Sequence, residues 1–101
     1  MRYAVIPIDK PGVPTFEISS ILKGQLHYFT EGLVQHGGKA DEFLFPLERT
    51  TQLLDEGVFY MTSPLDDQNR AEIEITEEQE DLLAWLVSNQ IERVKVRPVE
   101  E

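Results

Sequence analysis

The sequence contains no cysteine. Without a thiol the chain can form no disulfide, use no thiolate nucleophile and build no cysteine-based zinc site. Long apolar runs are also missing, since no stretch approaches the roughly 20 residues that cross a bilayer. The N-terminus has a short apolar run broken by Pro7, which differs from the longer apolar region of a signal peptide. We therefore expect a cytoplasmic protein that does not enter membranes.

Basic residues are scarce. Nine Lys and Arg stand against nineteen Asp and Glu, which gives a formal net charge of −10. Such a field repels phosphate backbones and anionic lipid, so it disfavours nucleic-acid and membrane-surface binding. It favours solubility and, where a macromolecular partner exists, a basic one.

The length and composition predict one folded domain. A chain of 101 residues has room for a single core, and a hydrophobic fraction of 41% is not that of a disordered chain. We predict that residues 1–101 form one domain of mixed α and β structure.

The first third of the chain contains one clear and one ambiguous element. Residues 2–8 predict a strand with apolar groups on both faces. Residues 15–36 predict a helix, because apolar residues recur there at helical spacing. Gly24 and Gly32 each disfavour a helix interior by about 1 kcal/mol. The alternative is a hairpin that turns at residues 23–24.

The later elements are better defined. Residues 48–56 predict a short helix closed by Gly57, and residues 58–62 and 71–75 predict the two strands of a hairpin. Thr76 and Gln79 form a capping box at the start of a helix, with Asn89 as its left-handed terminator. Residues 93–97 alternate as a last strand. With residues 39–56 set aside as a short inserted helical segment, the order is βαββαβ, which predicts a ferredoxin-like α+β sandwich.

The histidines are the first candidates for chemistry. His27 and Glu31 share a helix face at i, i+4, a spacing that suits an acid/base pair, although a surface pair is the simpler interpretation. Tyr28 and Tyr60 are the other candidate acid/base groups. Three polar residues flank the turn at Gly37-Gly38, and their spacing matches no metal-ligand motif. They are His36, Asp41 and Glu42. We predict no metal site and no cofactor.

Charge patterning offers a second candidate site. Six acidic residues fall within residues 72–81, namely Glu72, Glu74, Glu77, Glu78, Glu80 and Asp81. One interpretation is a surface that binds a basic partner; the other is a solvated strand face followed by a helix start that favours anions. Trp85 lies at the margin of the helix's buried stripe, as core edge or as contact anchor.

A third cluster is basic. Arg93, Lys95 and Arg97 line one side of the last predicted strand. They bind an anion, or they balance Glu72 and Glu74 or protect an exposed strand edge. We expect the balancing or protecting role.

Two function hypotheses follow. The first is a non-catalytic interaction or regulatory protein that binds a basic protein partner through Glu72, Glu74, Glu77, Glu78, Asp81 and Trp85. The alternative is a small dimeric enzyme or ligand-binding protein with a pocket near His27, and the sequence does not decide whether the chain is an enzyme.

Self-association is the last expectation. Two helices cover one face of a ferredoxin-like sheet, and strands that are apolar on both sides leave the other face wet. Large wet apolar patches are rare in monomers, so either residues 39–56 cover that face or a second copy packs on it. We expect the homodimer.

Overall fold

The protein is described by a computed structural model over residues 1–30, 42–63 and 66–99, with the backbone alone for residues 60–63 and 66–71. The elements in these ranges are, in chain order, β1 (Arg2–Pro7), β2 (Phe16–Ser19), α1 (Ser20–Gln25), β3 (Glu42–Leu44), α2 (Leu47–Glu56), β4 (Val58–Ser63), β5 (Asp66–Glu74), α3 (Glu77–Ser88) and β6 (Arg93–Pro98). A single 3₁₀ turn, Leu26–Tyr28, follows α1. The predicted mixed α+β class is confirmed.

The strands form two antiparallel sheets. One has the order β2-β1-β6-β3, and the other is the hairpin of β4 and β5. The ferredoxin-like order is not confirmed, because within the described residues the hairpin is a sheet of its own. The predicted hairpin is present, but β5 begins at Asp66, earlier than the predicted start at residue 71, and the pairing is irregular between Thr62 and Ser63.

Strand alternation gives the larger sheet two different faces. The inner face carries Val5, Val94 and Val96, which are buried with α3 residues in one core. The outer face carries the intervening residues, and Ile8 just beyond β1 is 37% exposed. The apolar residues on the two faces of the first strand therefore have different surroundings: within the described residues the core lies against the inner face, and Ala4 and Ile6 on the outer face are half-buried.

Residues 15–30, the described part of the segment predicted as a helix, form neither that single helix nor the alternative hairpin. Phe16–Ser19 is instead a strand paired with β1, and α1 begins at Ser20. The apolar periodicity is preserved in part, because Leu22, Leu26 and Phe29 are buried. Ile21, another apolar residue of this segment, is 73% exposed. Residues 31–36 lie outside the described residues.

The described part of the inserted segment extends the sheet rather than covering it. β3 pairs with β6 at the sheet edge, α2 packs on α3, and Phe45 is fully buried in the core. The start of α2 is fixed by Glu92, whose carboxylate accepts a hydrogen bond from the Leu47 amide at 3.0 Å. Gly57 ends α2 with a φ of 71°, as predicted.

The capping box of α3 is confirmed. The Gln79 amide donates to the Thr76 hydroxyl at 3.2 Å, and the Thr76 amide donates to the Gln79 side chain at 2.9 Å. The predicted terminator is wrong by one residue: Asn89 has a φ of −103°, and Gln90 adopts the left-handed conformation with a φ of 54°.

Candidate functional site: an acidic cleft between α3 and β2

The first half of α3 presents acidic side chains beside β2. Its leucines face the core, so the residues on the neighbouring stripe lie at the surface. Glu78, Asp81 and Trp85 occupy that stripe, because positions three and four apart are neighbours on a helix. Glu77 and Asp81 are exposed, whereas Glu78 and Trp85 are half-buried. These four residues were all predicted as partner-binding.

Glu78 fixes the position of α3 against β2. Its carboxylate accepts hydrogen bonds from the Ser19 amide at 3.0 Å and from the Ser19 hydroxyl at 2.6 Å. The same hydroxyl accepts from the Leu22 amide at 3.2 Å, as the N-cap of α1. Hydrogen bonds to a charged acceptor are the stronger kind. Glu78 therefore joins α3 to β2 through hydrogen bonds, and its carboxylate also adds a negative charge to the site.

A second polar contact joins the same elements. Gln79 is 2% exposed, and its side-chain amide donates to the Gln25 side-chain oxygen at 2.9 Å. One residue thus completes the cap of α3 and binds the end of α1. The two contacts make the relative position of α1, β2 and α3 well determined.

An aromatic pair lies at the far end of the stripe. The rings of Phe16 and Trp85 are stacked, with 5.3 Å between centroids and 28° between planes. Trp85 is half-buried and packs against the core, so it is core edge and surface aromatic at once. Such a pair offers a flat apolar surface beside the carboxylates.

Between these elements lies an open cleft of about 470 Å³. Its lining residues are Arg2, Phe16, Glu17, Glu77, Glu78 and Asp81. Four carboxylates against one guanidinium give the lining a negative balance. The guanidinium of Arg2 donates to the Glu17 carbonyl oxygen at 3.3 Å. The arrangement suits a cationic group with an apolar stem.

Glu72 and Glu74 do not line this cleft. They are exposed on β5, where Glu72 lies opposite Tyr60 and Glu74 opposite Val58. The acidic run of residues 72–81 is thus divided between the small sheet and α3. The sequence order alone did not reveal this division.

The candidate acid/base residues His27 and Tyr28 do not line the acidic cleft. His27 is exposed in the 3₁₀ turn, with its ring 4.1 Å from that of Tyr28. Tyr28 stacks on Phe59 at 5.5 Å. His27 lines neither the acidic cleft nor a smaller one of about 240 Å³ formed by Pro46, Glu48, Arg49 and Gln52.

Several of the predicted chemical residues lie outside the described structure. These are Glu31, His36 and Asp41, together with the side chain of Tyr60. Glu42 is described and belongs to β3. Over residues 1–30, 42–63 and 66–99, no three His, Asp or Glu side chains cluster in a way that would hold a metal ion.

The basic cluster lies on an interior strand. β6 pairs with β1 on one side and with β3 on the other, so protection of an exposed edge is wrong as its role. Glu72 and Glu74 belong to the other sheet, so they are not cross-strand neighbours of this cluster. The cross-strand neighbours of Lys95 are Ile6 and Glu42.

Sequence reasoning missed Arg2, Phe16 and Glu17 as parts of the cleft. Phe16 and Glu17 fell in a segment that we predicted as helix, and Arg2 is far from α3 in sequence. The signal that places them is the pairing of β2 with β1, in which Val5 lies opposite Phe16. That pairing is a long-range property with no local pattern.

In the described part of the chain, no helix has the length and apolar character of a membrane span. Comparison of the chain with protein families, with curated proteins and with solved structures found no match.

Proposed function

We propose that this protein is a non-catalytic interaction module that binds a basic segment of a partner protein in the acidic cleft. The observation that carries the proposal is that Glu77, Glu78 and Asp81 of α3 line one cleft together with Phe16, whose ring stacks on that of Trp85. Carboxylates attract a cationic side chain, and the aromatic face packs on its stem.

The proposal favours arginine over lysine in the partner. A guanidinium is planar, stacks on aromatic rings and pairs with carboxylates through two parallel hydrogen bonds. Both partners for such a group are present in the cleft. An ammonium would use the carboxylates alone.

The cleft is also preformed. The Glu78–Ser19 and Gln79–Gln25 hydrogen bonds hold its walls. A partner that binds a rigid site loses less free energy to ordering of the protein. The alternative, an enzyme or ligand-binding protein with a pocket near His27, has less support, because His27 is exposed and lies outside both described clefts.

The test measures binding of a fluorescently labelled oligo-arginine peptide by anisotropy. The cleft variant Glu17→Gln, Glu77→Gln, Asp81→Asn should weaken binding about tenfold or more, because each lost charge contributes a few tenths to 1 kcal/mol. Oligo-lysine should bind more weakly than oligo-arginine to the native protein. The emission of Trp85, the sole tryptophan, should change on binding of either peptide.

The matched control is Asp55→Asn, Glu56→Gln, Glu80→Gln, which removes the same charge from exposed positions outside the cleft. It should change the affinity less than about twofold, a free-energy difference below 0.5 kcal/mol. Equal weakening by the two variants would mean that the peptide responds to net charge alone, and the cleft would lose its assigned role.

A further inference from the structure

The outer face of the larger sheet is basic along its interior strand. Arg93, Lys95 and Arg97 follow one another at alternate positions of β6, on the side opposite Val94 and Val96. Arg93 and Arg97 are exposed and Lys95 is half-buried. Three of the nine cations of a chain with net charge −10 therefore form one row.

The residues paired with this row are mostly apolar, but Glu17 lies on the same face one strand beyond Ala4. Arg97 lies opposite Ala4, Lys95 opposite Ile6, and Arg93 opposite Leu44. Glu42, opposite Lys95, is the one acidic residue among these cross-strand pairs. Arg93 and Lys95 thus present two cations beside apolar side chains, an arrangement that suits an anionic surface laid across them.

The small sheet carries the complementary row. Glu72 and Glu74 are exposed on β5, while Ile73 between them packs against the core. Val58, half-buried, lies directly opposite Glu74 on β4. The outer side of the hairpin thus has acidic residues beside Val58. The outer side of the larger sheet has basic residues beside Ile6 and Leu44.

The two rows have the same spacing. Alternate residues of any strand lie about 6.6–6.8 Å apart along its axis, so Glu72 and Glu74 match Arg93 and Lys95 in separation. Within one chain the rows belong to different sheets. We propose that a second copy of this chain docks there, with the acidic row of each protomer against the basic row of the other in a two-fold dimer.

Two-fold symmetry forms both contacts at once, because every residue pair occurs twice in such an interface. Ala4, Ile6, Leu44 and Val58 supply apolar area beside the charges. The net charge opposes association, but at physiological salt exposed charges more than about 8 Å apart are largely screened. The contact pairs therefore act at short range against a weakened repulsion. The dimer surface meets the peptide-binding cleft at one edge, because Ala4 of the dimer surface pairs with Glu17 of the cleft.

Sedimentation equilibrium over micromolar to submillimolar concentrations tests the proposal with two variants. Variant A is Arg93→Glu, Lys95→Glu, and variant B is Glu72→Lys, Glu74→Lys. Each alone places like charges at both contacts and should weaken dimerisation about tenfold or more. An equimolar mixture of A and B places opposite charges at both contacts and should recover the dimer.

The control Lys10→Glu, Lys23→Glu changes the net charge as variant A does, away from the row, and should leave the dimer unchanged. Far-UV circular dichroism confirms that each variant is folded, and Arg93→Gln, Lys95→Gln replaces variant A if it is not. A native protein that stays monomeric throughout, masses above the dimer, or a mixture that does not recover dimer would each overturn the proposal. Variants that are less stable but keep the native dimer mass would also overturn the proposal.

Discussion

At the scale of single residues, the acidic side chains of the α3 start have different roles. Glu78 uses its carboxylate to bind the backbone and side chain of Ser19, whereas Glu77 and Asp81 are exposed in the cleft. Sequence reasoning grouped all three as partner-binding. The difference arises from a contact 59 residues apart in the chain, which no local pattern encodes.

The capping residue Thr76 is the simplest residue-scale test. Thr76→Ala removes the acceptor of the Gln79 amide and should lower the free energy of unfolding by about 1 kcal/mol. Urea denaturation measures the change. Thr51→Ala, at an exposed position inside α2, is the control and should be neutral or slightly stabilising, because alanine is the better helix former. Equal effects at the two threonines would contradict the capping role.

At the scale of elements, local signals predicted the C-terminal part of the chain well. The capping box, the leucine stripe and the alternating residues 93–97 each correspond to an element of the structure. Residues 15–30 were predicted poorly, because Phe16–Ser19 is a strand only through its pairing with β1. Apolar residues on a short strand followed by a short helix had the spacing of one longer helix.

The cleft could be predicted only in part for the same reason. Its helical wall, with Glu77 and Asp81, follows from the capping signal and the helix periodicity. Its other wall, with Phe16 and Glu17, depends on a sheet edge formed by residues distant in sequence. The basic row on β6 was recognised, but its place in the sheet required the full strand order.

Replacing each of two glycines by alanine should change the free energy of unfolding in opposite directions. Gly57 ends α2 with a φ of 71°, so Gly57→Ala should lower the free energy of unfolding by about 1–2 kcal/mol. Gly24 lies inside α1 with open space where an added Cβ would lie, so Gly24→Ala should raise stability by about 0.5–1 kcal/mol. Denaturant unfolding of both variants measures the two changes in stability. A stabilising Gly57→Ala would contradict the left-handed helix end.

At the scale of the whole molecule, two separate sheets share one core. Phe59 of the hairpin is 4% exposed and contacts Phe29 edge to face, with 5.1 Å between ring centroids. Both belong to the cluster that includes the inner face of the larger sheet and the leucines of α3. The prediction of a single domain therefore depends on whether this shared core makes the two sheets unfold together.

Phe59→Ala tests that cooperativity. Removal of a buried phenylalanine should lower the free energy of unfolding by about 3–5 kcal/mol. Trp85 reports on the part of the core where it stacks on Phe16 of β2, while circular dichroism reports on all elements. In one cooperative unit both signals shift to the same lower denaturant midpoint. Ile21→Ala, at a side chain that is 73% exposed, is the control and should change stability by less than about 0.5 kcal/mol. If the Trp85 transition keeps its native midpoint in Phe59→Ala, the hairpin unfolds separately and the single-domain prediction is wrong.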